Sequence, residues 1–169
     1  MADREKVEKL YDSLRTFNEK RGYFLNPDAD FAKALVNSLV INEDRYGYQV
    51  CPCRLASGSR AEDLDIICPC DYRDADIIQY GACYCGLYVS QNISIGKQEL
   101  KPIPERRLNK EMRLKMAEEK SKIKTQNSNS GSKLPVWRCT VCGYLCARED
   151  APEICPICGV AHDRFERFM

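Results

Sequence analysis

Eleven cysteines fall into two groups that differ in spacing. Six lie between Cys51 and Cys85 as three Cys-x-Cys pairs: Cys51-Pro52-Cys53, Cys68-Pro69-Cys70 and Cys83-Tyr84-Cys85. A [4Fe–4S] cluster takes four thiolates, so six sulfurs supply one cluster and leave two over. Two spare thiols beside a redox-active cluster can form a dithiol/disulfide couple that it reduces. Zinc sites also use closely spaced cysteines, so spacing alone leaves open a structural metal site with two bystander thiols. The second group is Cys139-Thr140-Val141-Cys142 and Cys155-Pro156-Ile157-Cys158, two Cys-x2-Cys knuckles with 143–154 between them. These give a tetrahedral four-thiolate site, a ligand set shared by zinc and a single iron. Gly143 and Gly159 follow the knuckles and permit the turn that lets amide N–H groups approach sulfur. Cys146 has no assigned partner and reads as a free thiol or packing residue. His162, the single histidine, reads as ordinary surface or packing.

Composition narrows the function classes. A net charge of +1 argues against a nucleic-acid or polybasic membrane binder. The opening Met1-Ala2-Asp3-Arg4-Glu5-Lys6 has no apolar h-region, and no apolar run reaches the length of a membrane span. The expectation is a cytoplasmic protein, where abundant thiols mean metal ligation or catalysis rather than crosslinks. Charge is uneven: residues 1–100 hold 12 Lys and Arg against 16 Asp and Glu, whereas 101–124 hold 9 against 4.

The elements that must position the central cysteines are mostly helical in pattern. Val7, Leu10, Tyr11, Leu14 and Phe17 recur at helical spacing and predict an amphipathic helix from Arg4 to Lys20. Asn26 then reads as a cap with Pro27 at the first helical position, and Phe31, Ala34, Leu35 and Leu39 mark a second helix to Ile41. Asn42 to Tyr48 reads as a turn. Pro52 biases the first pair away from helix, so Cys51 and Cys53 project differently. Ser59-Arg60-Ala61-Glu62 matches a capping box and predicts a short helix toward Ile67. Leu87-Tyr88-Val89-Ser90 is β-prone but short. The fold class expected is mainly α: a small all-helical domain with long loops, a basic helical and flexible linker, and a small metal-knuckle domain.

With these residues in view, the chain resembles the catalytic subunit of ferredoxin:thioredoxin reductase over about residues 1–107. The resemblance rests on Cys51-Pro52-Cys53-Arg54, Cys68-Pro69-Cys70, Gly81-Ala82-Cys83-Tyr84-Cys85-Gly86-Leu87-Tyr88 and Pro102-Ile103-Pro104-Glu105-Arg106-Arg107. It implies a helical disc in which Cys51, Cys68, Cys70 and Cys83 ligate the [4Fe–4S] cluster. Cys53 and Cys85 would form the redox disulfide, Cys53 as the exposed attacking thiol and Cys85 against the cluster. Thiol–disulfide exchange then runs through a mixed disulfide, and Arg54 could favour the Cys53 thiolate. One position departs from the family: Tyr84 stands where its third motif has histidine. Tyrosine is a far weaker proton shuttle than imidazole at neutral pH, so Tyr84 is a candidate catalytic hydrogen-bond donor or a packing residue.

Residues 108–134 read as the linker. Leu108, Met112 and Met116 give one narrow apolar stripe on a charged helix to Lys124, and Thr125–Ser132 is polar and low in complexity. Its positive balance could steer an acidic electron carrier. Residues 135–169 resemble the rubredoxin-like domains of rubrerythrins, on Trp137-Arg138-Cys139-Thr140-Val141-Cys142-Gly143-Tyr144, Cys155-Pro156-Ile157-Cys158-Gly159 and Phe165. That resemblance implies mononuclear iron on Cys139, Cys142, Cys155 and Cys158, with zinc as the alternative. The whole reads as a disulfide reductase that takes single electrons from a ferredoxin or the rubredoxin-type iron. Its acceptor would be a thioredoxin-like protein or a small disulfide, and it could form a homo-oligomer. The competing readings are a zinc-ribbon interaction module and an iron–sulfur redox sensor.

Overall fold

A computed structural model describes residues 3–116 and 134–168. The chain divides into two compact units, Met1–Pro104 and Glu105–Met169. In the first, α1 (Arg4–Glu19) is capped by Asp3, whose side chain accepts from Glu5 N–H. A short strand, β1 (Phe24–Leu25), follows, and then α2 (Ala29–Tyr46). The two helices bury Val7 and Tyr11 against Ala32, Val36, Leu39 and Val40. Lys33 to Glu8 (2.7 Å) and Lys6 to Asp44 (2.8 Å) tie their outer edges.

Helix α2 departs from the expectation at both ends. Asp28, not Asn26, is its cap and accepts from Phe31 N–H at 3.0 Å. Asn26 is used elsewhere: its amide donates to Gly86 C=O at 2.9 Å. The helix also runs on to Tyr46 and stops at Gly47 in the left-handed region, so the polar Asn42–Arg45 stretch is helix rather than turn. The expected helix over 59–67 is only a 3₁₀ turn, Leu64–Ile66. The reason is local. The Asp63 carboxylate accepts from Ser57 and Gly58 N–H and from Tyr48 O–H, which holds the chain in a loop.

Beyond the second cysteine pair, α3 (Arg73–Tyr80) ends at Gly81, followed by β2 (Tyr88–Val89) and α4 (Gln91–Ser94). Strands β1 and β2 pair antiparallel, Phe24 with Val89 and Leu25 with Tyr88. In the second unit residues 110–116 are helical; the expected continuation to Lys124 and the Thr125–Ser132 stretch lie outside the described residues. Strands β3 (Val136–Cys139), β4 (Leu145–Ala147) and β5 (Phe165–Arg167) form a sheet in the order β4-β3-β5.

The fold is therefore not mainly α. The described residues are 40% helical and 13% strand, with two small antiparallel sheets. The central unit is not all-helical either, because the β1–β2 pair is part of its core. Strands of two to four residues are too short for a periodic signal to reveal them, and β-prone segments such as Tyr88-Val89 pair across long sequence distances. No helix among the described residues is long and apolar enough to cross a membrane.

Candidate functional site

Backbone pairing brings the three central cysteine pairs together. Cys51 N–H donates to Ile66 C=O and Cys68 N–H to Gln49 C=O, around a bridge between Val50 and Ile67. This sets the first pair beside the second. The third is fixed by Cys83 N–H to Tyr88 C=O at 2.8 Å and Gly86 N–H to Cys83 C=O at 2.7 Å. Arg54 N–H to Cys51 C=O (3.3 Å) closes a four-residue turn with Pro52 at its second position, where its fixed φ fits. The turn sorts its side chains: Cys51 and Arg54 are buried and Cys53 is exposed.

Cys85 stands at the centre of the thiol contacts. Its Sγ lies 3.6 Å from Cys83 Sγ, and hydrogen bonds to Cys51, Cys53 and Cys83 hold its own thiol well above the ordinary range. The same bonds draw Cys51, Cys53 and Cys83 below theirs, against the effect of burial. Cys68 is raised well above its usual value by burial and then by its thiol neighbours. Burial pushes Cys70 up to about 12, with Arg54 acting in the opposite sense.

These residues fit an iron–sulfur cluster. Cys51, Cys70 and Cys83 are buried and Cys68 is half-buried. Tyr88 N–H donates to Cys83 Sγ (3.3 Å) and Arg54 Nη1 to Cys70 Sγ (3.2 Å), the N–H···S bonds that orient and tune metal thiolates. The Tyr88 hydroxyl is buried beside Cys68 without a partner in hydrogen-bonding geometry. Tyr84 is half-buried, with its ring 4.6 Å from the Arg54 guanidinium. It also lines a cleft of about 310 Å³ with Cys83, Cys85, Leu100, Lys101 and Ile103.

Adjacency points to Arg54 as a stabiliser of the Cys53 thiolate, and its charge does act in that sense; its bond to Cys70 has no signal in the sequence. Tyr72 is a further residue of the site, its ring 4.8 Å from the same guanidinium. No pattern flagged Tyr72, although its place two residues after Cys70 was a usable hint.

The C-terminal tetrad is more compact. The sulfurs of Cys139, Cys142, Cys155 and Cys158 lie within 4.8 Å of one another, the one such ligand group among the described residues. Each knuckle repeats one scheme. Cys139 N–H donates to Tyr144 C=O and Gly143 N–H to Cys139 C=O; Cys155 N–H donates to Val160 C=O and Gly159 N–H to Cys155 C=O. Gly143 and Gly159 have φ of +75° and +74°, which a side chain would strain. Amide hydrogens of Val141 and Cys142 reach Cys139 Sγ, that of Tyr144 reaches Cys142, and that of Val160 reaches Cys158. A hydrogen bond from Cys158 draws Cys139 down to about 5, while burial pushes Cys142 up to about 12. The donor set and spacing suit a single iron or zinc ion. Cys146 sits half-buried on β4 opposite Trp137, apart from this set. His162 is exposed and opens a 3₁₀ turn.

Taken together, the fold and its two cysteine sites define an iron–sulfur redox protein with an additional four-cysteine metal site. The model of the ferredoxin thioredoxin reductase catalytic beta chain family matches residues 1–126, and the chain belongs to that family. The model of the rubrerythrin rubredoxin-like domain matches residues 137–166. Reverse rubrerythrin-1 of Clostridium acetobutylicum is 55% identical over 29 residues, 17% of this chain. That stretch spans 16% of the length of the relative.

Proposed function

We propose that this chain is an iron–sulfur disulfide reductase in which Cys51, Cys68, Cys70 and Cys83 hold a [4Fe–4S] cluster and Cys53 and Cys85 form the redox pair. The observation that carries the reading is the position of Cys85, whose Sγ lies 3.6 Å from Cys83 Sγ and which packs against the cluster of buried residues that holds Cys51, with the exposed Cys53 two residues further on. The cluster, when bound, supplies electrons to the pair one at a time. Cys53, the exposed member, attacks one sulfur of a substrate disulfide; that S–S bond breaks, a Cys53 mixed disulfide forms, and the departing thiolate takes up a proton. Cys85 gives up its proton and attacks Cys53 Sγ. The second substrate thiol leaves and a Cys53–Cys85 disulfide remains, which two electrons and two protons return to the dithiol.

A ferredoxin is the proposed donor, since the family description names one. A thioredoxin-like protein or small disulfide is the proposed acceptor, and the cleft beside Cys85 has room for part of either. For the C-terminal tetrad we propose mononuclear iron, giving a second one-electron centre in the chain. Tyr84 acts through its ring rather than as a proton donor.

The test is Cys85→Ser in the full chain, mixed with an oxidised thioredoxin or a small symmetrical disulfide. It removes the resolving thiol and keeps the attacking one, so a Cys53-linked adduct should accumulate and be seen by intact mass. A variant that turns over at the wild-type rate refutes the pair. Metal analysis separates the rivals: about five irons per chain with acid-labile sulfide supports the reductase, whereas a colourless zinc protein supports the interaction module. A full cluster without reductase activity supports the sensor.

A further inference from the structure

Arg54 follows the exposed Cys53, yet is itself only 9% accessible. A guanidinium so placed must be held by partners, because burying a charge without them is strongly unfavourable. The partners come from separate segments. Nη1 donates to Cys70 Sγ at 3.2 Å, and the cation lies over the rings of Tyr72 at 4.8 Å and Tyr84 at 4.6 Å. Both ring distances are within the range of a cation–π interaction, which strengthens as the site is desolvated. Guanidinium does not lose its proton in proteins, so this is a permanent positive charge in contact with the Cys70 sulfur.

We propose that Arg54 sets the reduction potential of the cluster through Cys70, with Tyr72 and Tyr84 as its positioning residues. The inference rests on the reading of Cys70 as a cluster ligand. A charge-assisted N–H···S bond withdraws electron density from the thiolate, and a nearby cation favours the state carrying one more electron. Both effects raise the potential, and both are among the factors known to set it in thiolate-ligated clusters. Ring contact, rather than the hydroxyl, is what Tyr84 contributes. Phenylalanine should therefore replace it and an aliphatic residue should not.

The test is a redox titration of the full chain, purified without oxygen and followed by EPR, which separates the cluster from a single high-spin iron. Iron and acid-labile sulfide are counted on each sample. Arg54→Met should lower the reduction equilibrium constant about tenfold, a shift of 59 mV to more negative potential for a one-electron couple. Arg54→Lys keeps a charge but not the planar fork and should fall between. Tyr84→Leu should shift the same way, and Tyr84→Phe should titrate with the wild type. Fully loaded Arg54→Met and Arg54→Lys samples at the wild-type potential overturn the proposal. If Arg54→Met does not hold its iron, Arg54→Lys and Tyr84→Leu decide, and wild-type potentials for both overturn it. A wild-type chain that carries no acid-labile sulfide overturns the ligand assignment and this inference together, whereas unmoved potentials in loaded variants leave the ligand assignment standing.

Discussion

Asp63 is a buried carboxylate that closes the loop between the first and second cysteine pairs, and removing it should be felt throughout that loop. It accepts from Tyr48 O–H at 2.9 Å, from Ser57 N–H at 2.9 Å to each oxygen, and from Gly58 N–H at 3.1 Å. The donors differ in what they can do once the acceptor is gone. Ser57 and Gly58 are exposed, so water replaces the carboxylate there and each loss is worth about 0.5–1 kcal/mol. Tyr48 is 6% exposed, and its stranded hydroxyl costs about 1–3 kcal/mol. Asp63→Ala should therefore destabilise the unit by roughly 2–5 kcal/mol and lower its melting temperature by roughly 8–40 °C for a domain of this size. Asp63→Asn keeps one acceptor oxygen and should cost about half as much.

The assay is anaerobic thermal melting at one scan rate, repeated across pH. Burial would raise the Asp63 pKa, but the hydrogen bonds outweigh it and the folded value lies below the ordinary one. Its stabilisation is thus complete above the unfolded-state value of about 3.9 and is lost as pH falls through the lower folded value. The gap between wild type and Asp63→Asn should be full at pH 7 and narrow under acid. Tyr48→Phe completes the cycle: once its hydroxyl is gone, Asp63→Ala should cost less, by about 1 kcal/mol or more. Additive losses for the pair, or an Asp63→Ala melt within about 2 °C of wild type, would refute the reasoning.

Gly81 ends α3 at φ +86°, where a new Cβ would lie 2.7 Å from Gln98 Nε2 and 2.9 Å from Ile93 Cδ1. Gly81→Ala should destabilise by about 2–3 kcal/mol, against about 1–2 kcal/mol for Gly96→Ala, whose φ of +74° carries the same backbone strain with no atom within 4 Å; equal urea midpoint shifts would rule out the steric part. Cys155→Ser removes a buried ligand of the C-terminal tetrad. It should cost about one metal ion per chain and the fold of that small module, while sulfide and the remaining iron stay; loss of sulfide as well would contradict two independent sites.

What the sequence could reveal depended on how local each contact is. The knuckles are legible because a Cys-x2-Cys-Gly segment closes its own backbone bonds within a few residues, as the repeated scheme at Cys139 and Cys155 shows. The membership of the three central pairs is legible too, but not which sulfurs touch. That depends on the Val50–Ile67 bridge and the Cys83–Tyr88 pairing, which no window on the chain contains. The same limit hid the β1–β2 pair and let the polar Asn42–Arg45 stretch pass for a turn when it continues α2. Arg54 shows the limit most sharply. Adjacency in sequence suggests that it serves Cys53, and its charge does help draw that thiol down, but the β-turn also carries its guanidinium to Cys70. Pro52 sets that turn, and its hydrogen bond from Arg54 N–H to Cys51 C=O turns Cys53 out to solvent and Arg54 inward with Cys51. One four-residue turn thus exposes the sulfur proposed to meet a substrate and buries the cation that bonds the Cys70 sulfur. The division of labour between Cys53 and Arg54 is therefore a product of backbone geometry.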